Sequence, residues 1–283
     1  MPVLDAPHNR GTAPKFDCRR LRATVLDMAY RGQTAHIACA FSLVEILAVL
    51  YRGHVRYPEN DYRHPQRDYL VLSKGHGVMA QYACLHELGW LSDQEIARYF
   101  QNGTRLKGLS DAHVPGLEVS SGSLGHGLSV GVGLALAARR RGSDQRVYAI
   151  VGDGEINEGS IWEAVMLAAH CQLDNLAIIV DANGFQAMGP TDEIIRLGNI
   201  AAKFEAFDCE ALTVDGHDER AIDAALVELR DRPGGRPRAL VANTVKGHGV
   251  SFIAGDNRWH YARLDAAAHA RAVDELTPRR AAA

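Results

Sequence analysis

Four short apolar blocks constrain this chain most, because each runs directly into a glycine-rich or polar turn. They are DYLVL (68–72) before Ser73-Lys74-Gly75-His76, RVYAIV (146–151) before Gly152-Asp153-Gly154, NLAIIV (175–180) before Asp181-Ala182-Asn183-Gly184, and RALVANT (238–244) before Lys246-Gly247-His248-Gly249. Helical periodicity lies between and before them, over 16–30 and 42–51, from about 78, over 162–170 and over about 219–230. Strands that are apolar throughout, rather than alternating in and out, are those buried on both faces. Their alternation with helices predicts an α/β fold with a parallel sheet covered on both sides. The polar turns gather after the strands' C-terminal ends, where open α/β sheets bind ligands.

With no internal repeat or long linker, the 283 residues read as one domain over 16–276 between end segments 1–15 and 277–283. The net charge of −3 lacks the basic excess of a nucleic-acid binder. The longest uncharged apolar stretch, around 130–138, is about half of the ~20 residues that cross a bilayer. The N-terminus lacks a secretory pattern, so a cytoplasmic protein is expected. Five cysteines in no metal-ligand spacing read as buried reduced thiols.

Three groups of residues carry candidate chemistry. Asp153 and Asn183, thirty positions apart, each follow an apolar strand; on neighbouring strands they bring a carboxylate and an amide oxygen together. That donor set suits a hard divalent cation such as Mg²⁺, which shares its oxygen ligands with phosphates; alternatively, both segments are simply tight turns. Ser121-Gly122-Ser123-Leu124-Gly125-His126-Gly127 precedes an alanine- and glycine-rich helix running to Arg139, and its small residues let a backbone lie against a ligand. Close helix packing is the plainer reading of the same glycines. Gly127 to Gly131 also satisfies GxSxG around Ser129, but no apolar strand precedes it, so a nucleophile elbow is not expected. Finally, His36, His76 and His260 sit beside turns or strand ends, although spacing alone does not make them converge.

In combination and order, SLVEIL after His36, LSKGHG, PGLEVSSGSLGHGLS, VGDGEINEGSIWEA, DANGFQ, TVKGHG and WH resemble the N-terminal, diphosphate-binding half of transketolases, particularly those split into two subunits. The resemblance covers about residues 18–275. It implies the thiamine diphosphate-binding fold and thiamine diphosphate with Mg²⁺, the metal held by Asp153, Asn183 and the Phe185 carbonyl. Gly122, Ser123, Leu124 and Gly154 would lie along the cofactor. His76 and His260 are similar to the family's diphosphate-contacting histidines, and His36 and His260 to those handling substrate protons, so that His36, His76 and His260 are the expected catalytic residues. Glu158 and Glu163 fall where acidic residues link paired active sites, Glu158 counting among the cofactor-binding positions.

The implied reaction moves a two-carbon ketol unit from a ketose, phosphorylated or otherwise anionic, to an aldehyde. The glutamate that activates the cofactor's pyrimidine lies in a second domain in this family. The resemblance therefore implies a C-terminal partner subunit carrying it, in an α2β2 assembly. Two departures stand out. The family's GHP is Gly108-Leu109-Ser110 here, so either His113 supplies the missing histidine from a shifted loop or the donor differs. Ile37-Ala38-Cys39 also replaces the glycines common after His36. The alternatives are the α chain of a 2-oxo acid dehydrogenase, a hydrolase built on Ser129, and a non-catalytic binder.

Overall fold

The computed structural model describes residues 15–277. The expected end segments, 1–15 and 277–283, lie outside the described residues except for Lys15 and Thr277. Five strands, β1 (Tyr69–Leu72), β2 (Val147–Gly152), β3 (Leu176–Ala182), β4 (Glu210–Asp215) and β5 (Arg238–Asn243), form one sheet in the order β1-β2-β3-β5-β4. Every pairing is parallel.

The longer helices are α1 (Cys18–Gly32), α2 (Val78–Glu87), α3 (Gly127–Arg140), α4 (Gly159–His170), α5 (Glu219–Asp231) and α6 (Ala266–Leu276). The side chains of β1 and β2 alternate between two apolar cores. Leu70, Leu72, Tyr148 and Ile150 join the α1 and α2 side, whereas Val71, Val147, Ala149 and Val151 join the α3 and α4 side. This is the two-sided burial expected of a parallel sheet. Glycine lets α3 lie close to it: a Cβ on Gly131 would stand 3.4 Å from that of Ala149.

The expected strands are present with ends moved by one or two residues. β4 was not expected. It is an edge strand whose core-facing and half-exposed positions interrupt the apolar run, so it lacks the continuous block by which the buried strands are read. The predicted helix over 42–51 is broken: Ile37–Phe41 and Val44–Val49 are separate helical segments, followed by a π-helical turn at Leu50–His54.

Cys39, Cys84 and Cys209 are buried, Cys18 and Cys171 half-buried, and all five are free thiols. Among the described residues, no helix is long and apolar enough to cross a membrane.

The strand order places the end of β3 between those of β2 and β5. Gly152 pairs with Asp181, and Ala182 with Asn243. The turns carrying Asp153, Asn183 and Lys246 consequently meet at one edge.

Candidate active site

Asp153 follows β2 and is 3% exposed. Its Oδ1 accepts the Gly154 N–H at 2.8 Å and its Oδ2 the Gly184 N–H at 2.6 Å. Burial, and then the nearby charge of Asp181, push its carboxyl up to about 6. Asn183 is also buried. Its Nδ2 donates to Asp181 at 3.4 Å and its Oδ1 accepts the Phe185 N–H at 3.1 Å, a local Asx-type turn. The left-handed φ of 80° at Gly184 lets the chain turn back between the two. Thus the turn after β2 that carries Asp153 meets the turn after β3 that carries Asn183 and Phe185.

Beneath them Asp181, fully buried, accepts Ser42 Oγ at 2.7 Å, Lys74 Nζ at 2.5 Å and the Thr244 hydroxyl. Burial opposes ionisation of Asp181, but Lys74 outweighs it and holds the carboxyl below its usual range. Lys74 is correspondingly raised, burial working against Asp181. This ion pair ties the turns after β1, β3 and β5 to the segment around Ser42.

The three histidines converge. Ring centroids lie 5.3 Å apart for His36 and His76, 5.0 Å for His36 and His260, and 5.9 Å for His76 and His260. The His36 N–H donates to the His260 carbonyl at 3.1 Å. Burial, and then Lys246, lower His36; burial and Lys74 lower His76 well below its ordinary value. Burial followed by Lys246 brings His260 to about 3. All three rings are neutral near pH 7.

Lys246 was not singled out from the sequence. It is 1% exposed, and its Nζ donates to Asn257 Oδ1 at 2.6 Å and His260 Nδ1 at 3.0 Å while lying 5.6 Å from the centre of the Phe185 ring. An ammonium has no lone pair, so Nδ1 accepts and the proton of neutral His260 resides on Nε2. Among the described residues no carboxylate is hydrogen-bonded to this buried cation, although Asp153 and Asp181 act on it from a distance, and an anion bound beside it would relieve the cost of its burial. Its signal was its position, two residues past the β5 block inside TVKGHG.

Residues 121–127 cover the end of β1. Ser121 Oγ donates to the Leu72 carbonyl at 2.6 Å, and Gly122 adopts a φ of 141°. Ser123 is exposed and Leu124 half-buried. A Cβ on Gly154 would approach Gln186 Cγ to 2.9 Å. Glu158 and Glu163 are exposed. The Glu158 side chain lies against Gly125, in the 121–127 loop.

Leu109 is 44% exposed and stands over Gly122, where a Cβ would meet its Cδ1 at 2.9 Å. His113 does not replace the missing histidine: its side chain is 90% exposed and hydrogen-bonded to Asp111 at 2.7 Å. Ser129 lies exposed on α3, preceded by a loop, so the hydrolase geometry is absent. A second cluster, Glu45, His217 and His248, has potential ligand atoms within 4.8 Å of one another. Arg22 already neutralises Glu45 at 2.5 Å, however, and both His217 ring nitrogens are engaged.

The family model described as "Transketolase, thiamine diphosphate binding domain" matches residues 16–277. A subunit of the apulose-4-phosphate transketolase of Actinobacillus succinogenes is 41% identical over 227 residues, covering 80% of this chain and 82% of the relative. A 6-deoxy-6-sulfo-D-fructose transketolase subunit from Clostridium sp. is 36% identical over 257 residues, covering 90% and 93%. Among solved structures, transketolase from Leishmania mexicana superposes with a TM-score of 0.85 at 29% identity, covering 94% of this chain and 42% of that one. The chain thus spans less than half the length of the Leishmania transketolase and more than four-fifths of the two relatives named as subunits. It belongs to the transketolase family and carries that family's thiamine diphosphate-binding domain.

Proposed function

We propose that this chain, with a partner subunit supplying the pyrimidine-binding domain, transfers a two-carbon ketol unit from an anionic ketose to an aldehyde. The observation that carries the proposal is the convergence of three neutral histidines and a buried Lys246, which has no ion-paired carboxylate among the described residues, beside the turns that hold Asp153 and Asn183. The named relatives act on a phosphorylated and a sulfonated sugar, which supports an anionic tail on the substrate. The 2-oxo acid dehydrogenase alternative has no support among them.

The residues fit thiamine diphosphate and Mg²⁺. Asp153 is buried, and the hydrogen bonds to its oxygens come from backbone N–H groups, so a divalent cation would supply a counter-charge, and Asn183 Oδ1 and the Phe185 carbonyl would be further oxygen ligands. Lys246 and His76 would meet diphosphate oxygens, and Gly122, Ser123, Leu124 and Gly154 would allow close approach of the cofactor. When bound, thiamine diphosphate supplies the carbon nucleophile and electron sink of ketol transfer.

The chain's own work is orientation and proton transfer. His260 holds its proton at Nε2, where it donates to a substrate oxygen. Neutral His36 is free to accept the hydroxyl proton released as the ketose carbon–carbon bond breaks. The exposed mouth, with Tyr261 65% and Met188 76% exposed, awaits the partner that excludes water. We infer an α2β2 assembly and a cytoplasmic location.

A donor screen on the complex tests the reaction. Formation of a two-carbon-extended ketose from an anionic ketose and an aldehyde, dependent on both cofactors, is expected. Oxidative decarboxylation of 2-oxo acids without ketol transfer would refute it.

A further inference from the structure

A buried carboxylate beside the site plays no part in the chemistry above. Glu155 is 1% exposed and opens the turn after Gly154. Its Oε1 accepts the Ser73 hydroxyl and the Gly125 N–H, the latter at 2.9 Å, and its Oε2 accepts the Gly152 N–H at 3.1 Å. The three donors belong to three different segments: the turn after β1, the 121–127 loop and the last residue of β2. No cation forms an ion pair with Glu155 among the described residues; these three donors, with the nearby charge of Lys74, oppose the cost of its burial.

We propose that Glu155 is a positioning residue that holds the 121–127 loop and the Gly152–Gly154 turn in their ligand-ready arrangement before the cofactor arrives. Naming thiamine diphosphate as the ligand rests on the proposed function; the pinning of the loop does not.

Packing beneath the loop leaves no room for a side chain. A Cβ on Gly75 would meet the Ser121 carbonyl oxygen at 2.4 Å, and one on Gly127 the Ser73 Oγ at 2.5 Å. A Cβ on Gly125, whose φ is 86°, would meet the Ser160 Oγ at 2.4 Å. Backbone therefore lies directly on backbone, and hydrogen bonds set the height of the loop.

Those bonds occur at its two ends. Ser121 is tied by its hydroxyl to the Leu72 carbonyl and by its N–H to the Ser110 carbonyl at 3.1 Å. Gly125 is tied to Glu155. Between the two ends lie Gly122, Ser123 and Leu124, the residues proposed to meet the cofactor. Holding the ends fixes the reach of the middle, so its conformational entropy is lost on folding rather than on binding. The same carboxylate grips Gly152, which keeps the loop in register with Asp153 one residue later.

The test compares Glu155→Gln with the parent full chain, each purified with its partner subunit. An amide keeps the volume but turns an N–H₂ against one of the three donors. Thiamine diphosphate affinity at excess Mg²⁺ is read by calorimetry, and hydrogen exchange of residues 121–128 is read without cofactor. The expected result is a dissociation constant raised about tenfold or more, exchange at Gly125 faster by about tenfold, and a smaller loss in rate at saturating cofactor. Unchanged affinity overturns the proposal, as does unchanged exchange at Gly125 or a loss confined to global melting.

Should Glu155→Gln not fold, Ser73→Ala removes one donor. It is expected to raise the dissociation constant about threefold with the same local increase in exchange; no change in either overturns the proposal. If the parent complex binds no thiamine diphosphate, the functional reading fails. The Gly125 exchange comparison still decides whether Glu155 pins the loop.

Discussion

Replacing Lys246 with Met removes one charge from the middle of the site and leaves an unbranched apolar chain in its place. In the parent protein Lys246 Nζ lies 3.0 Å from His260 Nδ1, and only burial exceeds its effect in bringing His260 down to about 3. Burial persists in the variant, as do His36 and Lys74, so the His260 midpoint is expected to rise by roughly one pH unit, about 1.4 kcal/mol. The larger effect falls on the tautomer. A hydrogen bond to a charged group contributes ~1.5–3 kcal/mol, so losing it shifts the ratio of Nε2–H to Nδ1–H forms by roughly tenfold to a hundredfold.

Two-bond ¹⁵N–¹H correlation spectra of histidine-labelled complex between pH 5 and 8 read this ratio directly. The parent should show His260 neutral with its proton on Nε2 throughout. The variant should populate the Nδ1–H form, which has Cys39 Sγ at 3.5 Å as a neighbour, and should lose turnover in proportion to the lost Nε2–H fraction. An unchanged tautomer in Lys246→Met would refute the assignment of the His260 proton from its neighbours.

Other expectations follow from single contacts. His36→Ala and His260→Ala should each lower kcat by about 10²–10⁴, as acid–base groups do; rates unchanged in both would remove these histidines from the mechanism. Because Asp153 titrates near 6 when folded and near 3.8 when not, the cofactor-free chain binds the extra proton in that window. Its stability therefore falls as pH rises through the window, and the penalty is complete above about 6. Asp153→Asn should consequently stabilise the cofactor-free chain at pH 8 by about 1–3 kcal/mol relative to its effect at pH 4, while abolishing Mg²⁺-dependent cofactor binding; denaturant melts at the two pH values measure the difference. Gly127→Ala, whose Cβ would meet Ser73 at 2.5 Å, should destabilise the chain by about 1–3 kcal/mol, and a variant melting like the parent would contradict the flush packing of the loop. Leu109→His should raise kcat/KM for hydroxymethyl ketose donors if the exposed leucine over Gly122 sets the donor wall, and steady-state rates with two such donors decide it.

The buried strands were legible because a strand covered on both faces must be apolar at consecutive positions, as Leu176 to Val180 are. β4 was hidden by its edge position, where Glu210, Leu212 and Val214 are only partly buried. The convergence of Asp153 and Asn183 was legible as two chemically matched turns after neighbouring strands. The histidines were legible as individuals only, because 40 and 184 residues separate His36 from His76 and His76 from His260; the crossover connections and strand order bring them together. Lys246 and Glu155 were missed for a shared reason. A charged residue in a turn is ordinarily solvated, and only the packed structure reveals that these two are buried, with neither in an ion pair among the described residues.

The central claim is that the active site is completed between this chain and a partner. Native mass spectrometry of the chain purified from its host, paired with turnover assays of the chain alone and of whatever accompanies it, tests that claim most directly. The account predicts a second subunit in equal stoichiometry, thiamine diphosphate and Mg²⁺ in the complex, and ketol transfer by the complex alone. Robust turnover by this chain without any partner would contradict it.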